Sequence, residues 1–291
     1  MSWGTGHAAM IGTVTARAAE PGTRLGPAAP DHDLASAIRA GMSGSRAGTA
    51  YLDLGARLDR ATAAQVGQSA VAWESQHPRS GRHWVIAMGD EPGEVARCVA
   101  GLVEQVGVPY GLTVERRAFP QLPTRLRPVE HWEWDWWCAT QPPVPRAGEA
   151  RATPLAPDDA RIDALLDDAS PDAMARPGDR HVTGWWGIDA DRLPEAPGAG
   201  PPGLLVAVAA VTEMSPGVPH LSSVATRTGW RGRGLARDLC GRLTRDALSA
   251  GAPAVTLGMH AGNTTARRVY ASLGFEVGYR WASGTLAAGP S

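Results

Sequence analysis

The chain has 291 residues, with 28 basic against 29 acidic side chains and a formal net charge of −1; at roughly 150 residues per domain, this length suggests two domains. Hydrophobic residues make up 43% and charged residues 20%, an ordinary globular usage that excludes a disordered, collagen-like or coiled-coil chain. The charge balance gives no overall pull toward nucleic acid or an anionic membrane.

In chain order, residues 1–48 are rich in Gly, Ala and Ser and read as loosely ordered at the start, with one helix over 33–40. The pattern then predicts a strand over 51–54, a helix over 62–75, a strand over 84–88 and a turn over 90–93. Val95, Val99, Leu102, Val103 and Val106 fall at helical spacing, so a helix is expected over 94–106, followed by a strand over 110–114. A further strand over 131–138 alternates Trp132, Trp134 and Trp136 on one face with Glu133, Asp135 and Trp137 on the other. Pro142, Pro143, Pro145 and Gly148 punctuate the chain after it, which places a domain boundary near 146: an α/β domain over 1–146 and a second domain over 147–291.

The second domain reads as a strand over 151–155, a helix over 157–168, a loop over 194–203, and strands over 204–214 and 220–226. Arg231-Gly232-Arg233-Gly234-Leu235-Ala236 then opens a helix. Its apolar face is Leu235, Leu239, Leu243 and Ala247, and Arg237, Asp238, Arg242 and Arg245 are expected to face water. A strand over 254–259 follows. Asn263 is a good N-cap for a helix over 264–273, and Gly274 can end that helix in a left-handed cap before a last strand over 275–281.

The residue types narrow the chemistry. All 28 basic residues are arginine, which excludes a Walker phosphate loop and a Schiff-base lysine. Cys98, Cys138 and Cys240 are far apart and form no C-x-x-C pair, so neither a disulfide framework nor a cysteine metal site is expected, and a reducing cytoplasm suits them. Cys240 and Cys98 read as core residues. The longest apolar run, residues 203–211, is too short to cross a bilayer, and no basic segment precedes an apolar one at the start; a soluble, cytoplasmic protein is the expectation.

A strand, a glycine turn and a helix in that order present backbone N–H groups at a helix N-terminus, where the aligned dipole favours an anion such as a pyrophosphate. The turn is not the dinucleotide fingerprint, because the sixth position counted from Gly232 is Arg237. Arg231-x-x-Gly234-x-Ala236, then a strand, then Asn263-x-x-Ala266-x-x-x-Tyr270-x-x-x-Gly274-Phe275, resembles the acyl-CoA-binding half of the GNAT superfamily of N-acetyltransferases. The resemblance covers about 149–283 and rests mainly on 222–276. It implies an α/β fold with a mixed, splayed central sheet flanked by helices. It also implies acetyl-CoA as acyl donor without a metal, and direct transfer of the acetyl group to an amine.

Carried over by position, Val224, Ala225 and Thr226 would pair with the pantetheine arm, and Gly232, Arg233, Gly234, Leu235, Ala236 and Arg237, with Arg231 before them, would hold the pyrophosphate. Asn263 would contact the cofactor near the thioester or pantetheine, Tyr270 would protonate the departing thiolate, and Phe275 would be structural. An amine attacks a thioester only when neutral, so a base is needed, and the candidates are His220 and Glu213. A phenol suits the acid role, and a backbone N–H on the splayed strand suits the developing oxyanion.

The bland alternatives are a packed ring for Tyr270, a loop residue for His220 and a solvated carboxylate for Glu213. Trp132, Trp134, Trp136, Trp185 and Trp186 either wall an acceptor pocket or fill the core. Glu133 and Asp135 either attract a cationic amine or are solvated. The strand–helix–strand order in the first half matches the late part of the GNAT fold, so a degenerate GNAT-like domain that shapes the acceptor site is expected there. Length and tandem layout are similar to the mycothiol synthase branch. The expected partner is a small-molecule amine, with no nucleic acid and no membrane, and the chain is expected as a monomer or homodimer. The alternatives are a non-catalytic acyl-CoA-binding module and an enzyme acting on a protein amine.

Overall fold

The computed structural model describes residues 24–25, 34–45, 49–76, 81–193 and 201–286. Most of the expected loosely ordered start and most of the expected loop over 194–203 lie outside these residues.

The elements follow from local chemistry. A two-residue strand β1 (Arg24–Leu25) and two short helices, α1 (Leu34–Gly41) and α2 (Ala50–Leu54), come first. The strand expected over 51–54 is thus one turn of helix, because Tyr51 and Leu52 go together into the core rather than to alternate faces. The helix expected over 62–75 is a hairpin of β2 (Ala63–Val66) and β3 (Ala70–Gln76), turning at Gly67, Gln68 and Ser69. Both strands are buried on both faces over almost their whole length, so the apolar residues run on without alternation and imitate a helical stripe.

Next come β4 (His83–Gly89), α3 (Pro92–Val106, with Pro at its first turn) and β5 (Gly111–Glu115). The tryptophan strand is β6 (His131–Ala139). The second half has β7 (Thr153–Leu155), α4 (Ala160–Ala169, capped by the Asp159 carboxylate) and β8 (Val182–Asp189), a strand the sequence reading did not assign. It continues with β9 (Leu205–Ser215), β10 (Val218–Thr226), α5 (Leu235–Ser249), β11 (Val255–His260), α6 (Thr264–Ala271) and β12 (Glu276–Thr285).

All twelve strands form one mixed sheet in the order β1-β2-β3-β4-β5-β12-β6-β11-β10-β9-β8-β7. The order has a twofold logic. Counted inward from either end, β4 and β5 run parallel across the α3 crossover, just as β10 and β11 run parallel across α5. At the centre each half lends a strand to the other: β12 lies between β5 and β6, and β6 lies between β12 and β11. The expected boundary at 146 divides the chain, but the sheet runs unbroken across it.

Helix α5 packs on one face with Trp137, Leu221, Leu257 and Phe275, and α3 packs with Val85, Val114 and Ala282. The opposite face carries α4 with Trp185 and Val208, and α1 and α2 with Trp73, Trp136 and Trp281. At the centre a bulge between Val277 and Tyr279 lets Trp136 lie against the backbone of Gly278, where a Cβ would come within 2.4 Å of the indole.

Candidate active site

Strands β10 and β11 pair in register only at His220↔Thr256 and Leu221↔Leu257. Beyond Leu221 they part, although β10 runs on to Thr226 and β11 to His260. On its other side β10 has a bulge: pairing with β9 jumps from Ser222↔Ala210 to Ala225↔Val208, so Ser223 and Val224 fall out of the ladder. Ser223 holds φ of +49°, the only non-glycine residue with positive φ among the described residues. This conformation is costly for an L-residue. It is held from the side, where the Ser223 hydroxyl accepts from the Ala175 N–H at 2.7 Å and donates to the Ala175 carbonyl at 2.9 Å. A bulge beside diverging strands frees backbone polar groups for an extended ligand. Ser223 gave no signal in the sequence, since neither glycine nor asparagine marks the position.

The turn after β10 leads into α5. Gly232 and Gly234 have φ of +78° and +77°, and a Cβ at Gly232 would meet no neighbour within 4 Å, so the turn is open toward a ligand. Leu235 is buried beneath it while Arg231, Gly232 and Arg233 are exposed. Arg231 donates from Nε to the Thr226 carbonyl at 3.2 Å and from Nη2 to the Ala169 carbonyl at 3.1 Å, tying the ends of β10 and α4 together. The Arg233 guanidinium lies 4.7 Å from the centre of the Trp230 ring. Val224, Thr226, Ala236 and Arg237 are partly exposed around the same turn, whereas Ala225 is buried against α4.

Tyr270 is buried in the α5 cluster, its ring edge-on to Phe275 at 5.8 Å. Burial, with Cys240 nearby, pushes its phenol well above the usual value, so the proton stays on near pH 7. Asn263 caps α6, its side-chain oxygen accepting from the Ala266 N–H at 3.0 Å, and it remains exposed. Cys240 and Cys98 are buried thiols, both pushed up to about 12 by desolvation, and are inert core residues.

His220 lies on the other side of the sheet. Leu221 points into the α5 cluster, so the strand alternation turns His220 to the opposite face. There its Nδ1 is 2.9 Å from the Thr256 hydroxyl. The same face of the sheet is roofed by the first half: Cys138, paired with Thr256, packs against the cluster of Tyr51, Leu52, Ala56 and Trp136. Desolvation lowers His220 to about 4, so the ring is neutral near pH 7. Glu213 is spent locally, since its carboxylate accepts from the Gly217 N–H and closes the β9–β10 hairpin.

Several expectations about surroundings are corrected. Asp238 and Arg245 do not face water; Asp238 is buried and holds Arg146 at 2.8 Å, and Arg245 pairs with the buried Glu149. Asp135 is neither solvated nor free for an amine. It is fully buried and bridges Arg116 at 2.6 Å to Arg267 at 2.8 Å, while Glu133 pairs with Arg116 at 3.1 Å. Trp136 and Trp185 are core and Trp134 stacks on Trp281, which leaves Trp132 exposed and Trp186 packed against the α5 cluster.

The corresponding positions of the first half differ. β4 and β5 stay paired from Trp84↔Gly111 to Ala87↔Val114, and β3 and β4 pair without a bulge. At the start of α3 the Glu94 carboxylate accepts from the Gln68 and Ser69 N–H groups and from the Ser69 hydroxyl at 2.7 Å. That carboxylate ties α3 to the β2–β3 turn.

Diverging strands and an open glycine turn thus lie at the two ends of the same stretch of β10, with Tyr270 and His220 on opposite faces of the sheet. The model of the acetyltransferase (GNAT) family matches residues 129–275, half of the chain, and the chain belongs to that family. No curated protein matches its sequence. Among solved structures it is similar to a GCN5-related N-acetyltransferase from Sphaerobacter thermophilus, with 18% identity, 78% of this chain and 83% of that chain covered, and a TM-score of 0.50. It is also similar to an acetyltransferase from the GNAT family of Colwellia psychrerythraea, with 12% identity, 87% and 96% covered, and a TM-score of 0.47. At these identities the likeness is one of fold. Among the described residues no group of three His, Cys, Asp or Glu side chains could hold a metal, and no helix is long and apolar enough to cross a membrane.

Proposed function

We propose that the chain transfers the acetyl group of acetyl-CoA to the primary amine of a small molecule. The observation that supports this reading is the parting of β10 and β11 after Leu221 beside the bulge at Ser223 and Val224, with Tyr270 in the α5 cluster on one face of the sheet and His220 turned to the other. The residues fit the donor: the divergence and the bulge free backbone on β10 for the pantetheine arm, and the open turn 232–237 offers helix N-terminal N–H groups to the pyrophosphate. When bound, acetyl-CoA supplies the activated acyl group.

The chain supplies the rest. The N–H groups of Ser223 and Val224, outside the β9–β10 ladder, would polarise the acyl oxygen. Tyr270, held protonated by burial, gives its proton to the sulfur on the α5 side. His220, neutral and with Nε2 uncommitted, accepts the amine proton on the other side, directly or through water. Of the two base candidates His220 is preferred, because the Glu213 carboxylate is used in the hairpin turn. Residues of the first half roof the His220 face: the Ser215 hydroxyl donates to the Ala56 carbonyl at 3.0 Å. Such a confined space suits a small amine. We read the first half as a GNAT-like domain that has lost its crevice and shapes the acceptor site.

Calorimetric titration with acetyl-CoA, free CoA and a longer acyl-CoA, repeated on Gly234→Val, tests the reading, and a screen of amines by CoA release follows. Saturable binding lost in the variant, with turnover on small amines, is the expected result. A folded chain that binds no CoA species would overturn it, and acetylation of proteins alone would overturn the acceptor class.

A further inference from the structure

The segment joining the two halves is strapped along α5. Arg245 pairs with Glu149 and donates to the Pro143 carbonyl at 3.4 Å, and Arg146 Nε donates to Asp238 at 2.8 Å. The fit is close: a Cβ at Gly148 would fall 1.8 Å from the Asp238 carboxylate, and one at Gly241 would fall 2.9 Å from Glu149. Asp238, Gly241 and Arg245 lie on one stripe of α5, and Gly234 begins that stripe one turn earlier. The Arg146 guanidinium therefore stands beside the first turn of the helix, with Nη2 at 3.8 Å from the position of a Gly234 Cβ. Its side chain keeps 39% of its surface exposed, while Asp238 keeps 5%. A buried carboxylate thus holds the guanidinium at Nε and leaves Nη2 beside the glycine turn. Nearby, the Arg237 Nε is buried without a hydrogen-bond partner.

We infer that Arg146, carried by the segment between the halves, is a binding residue for the pyrophosphate of acyl-CoA, with its guanidinium aimed by Asp238. The inference rests on the acyl-CoA reading of the turn and extends it to a residue remote in sequence. A guanidinium matches two phosphate oxygens with parallel N–H bonds, and one held in place by a buried partner loses little freedom on binding. The strap makes the donor site a joint product of the turn and of the connection between the halves.

The test compares dissociation constants of acetyl-CoA, acetyl-dephospho-CoA and S-acetylpantetheine for the wild type, Arg146→Lys and the double variant R146M/D238N. The double variant avoids leaving Asp238 buried and charged without a partner. The expected result is a loss of about tenfold or more for the first two ligands in the double variant, a smaller loss with lysine, and no change for S-acetylpantetheine, which has no phosphate. An equal loss for all three ligands would show a merely structural role, a loss confined to acetyl-CoA would move the contact to the 3′-phosphate, and no loss would dismiss Arg146; each overturns the inference. If the wild type itself binds none of the three, the acyl-CoA reading falls and takes this inference with it, a failure visible without any variant.

Discussion

Tyr270 and His220 show how one environment can serve two opposite tasks. Removal from water penalises whichever form is charged, so burial raises the phenol and lowers the imidazole; both are neutral near pH 7, the phenol protonated and the imidazole with a free lone pair, each a weaker acid or base than in water. Tyr270→Phe should lower kcat by about 10²-fold or more while leaving acetyl-CoA affinity unchanged, as read by steady-state kinetics beside calorimetry. The His220 value of about 4 lies below the unfolded value of 6.5, so the unfolded chain takes up the proton first and stability falls as pH drops from 6.5 toward 4. His220→Gln should remove that acid-side loss, seen as a smaller decrease in Tm between about pH 7 and pH 5, and should also cut turnover by about 10²-fold. Asp135 carries a different kind of charge. Buried between Arg116 and Arg267, it is part of the frame, and Asp135→Ala should cost about 3 kcal/mol in denaturant unfolding, because it empties a fully buried position and leaves Arg116 with Glu133 as its one carboxylate partner.

At the scale of elements, the segments with strong local signals were legible. Val95, Val99, Leu102 and Val103 set the buried face of α3, Asn263 caps α6, and Gly274 ends it at φ of +84°. Asn263→Ala should destabilise the protein by about 1 kcal/mol through the lost cap, measured as a lower midpoint in urea. The segments misread were those whose surroundings overrule local preference. The β2–β3 hairpin is buried on both faces, with even Gln65, Glu74 and Ser75 buried, so no alternation of polar and apolar residues marks its period, and α2 is too short for a helical repeat to show. β8 escaped because Trp185 and Trp186 stood out as aromatic residues and not as neighbours on a strand whose one face is packed by α4 and the other by α5.

The whole molecule is held together at its middle. β6 completes the sheet of the second half by pairing with both β11 and β12. Expressed alone, residues 147–291 would expose the edges of β11 and β12 and should fail to fold, and adding back residues 1–146 should restore a cooperative unfolding transition. With strands parting in the second half and β4 and β5 staying paired in the first, the intact chain should bind one acyl-CoA, which the calorimetric stoichiometry reads directly. The glycine turn, the Asn263 cap and the Tyr270 helix were written in the chain because each depends on residues a few positions apart, where backbone sterics and hydrogen bonding act. The sheet order, the side of the sheet to which His220 turns, the pairing of Asp135 and the position of Arg146 beside Gly234 join residues tens to more than a hundred positions apart. Those were decided by the burial of two halves against each other, which no local pattern encodes.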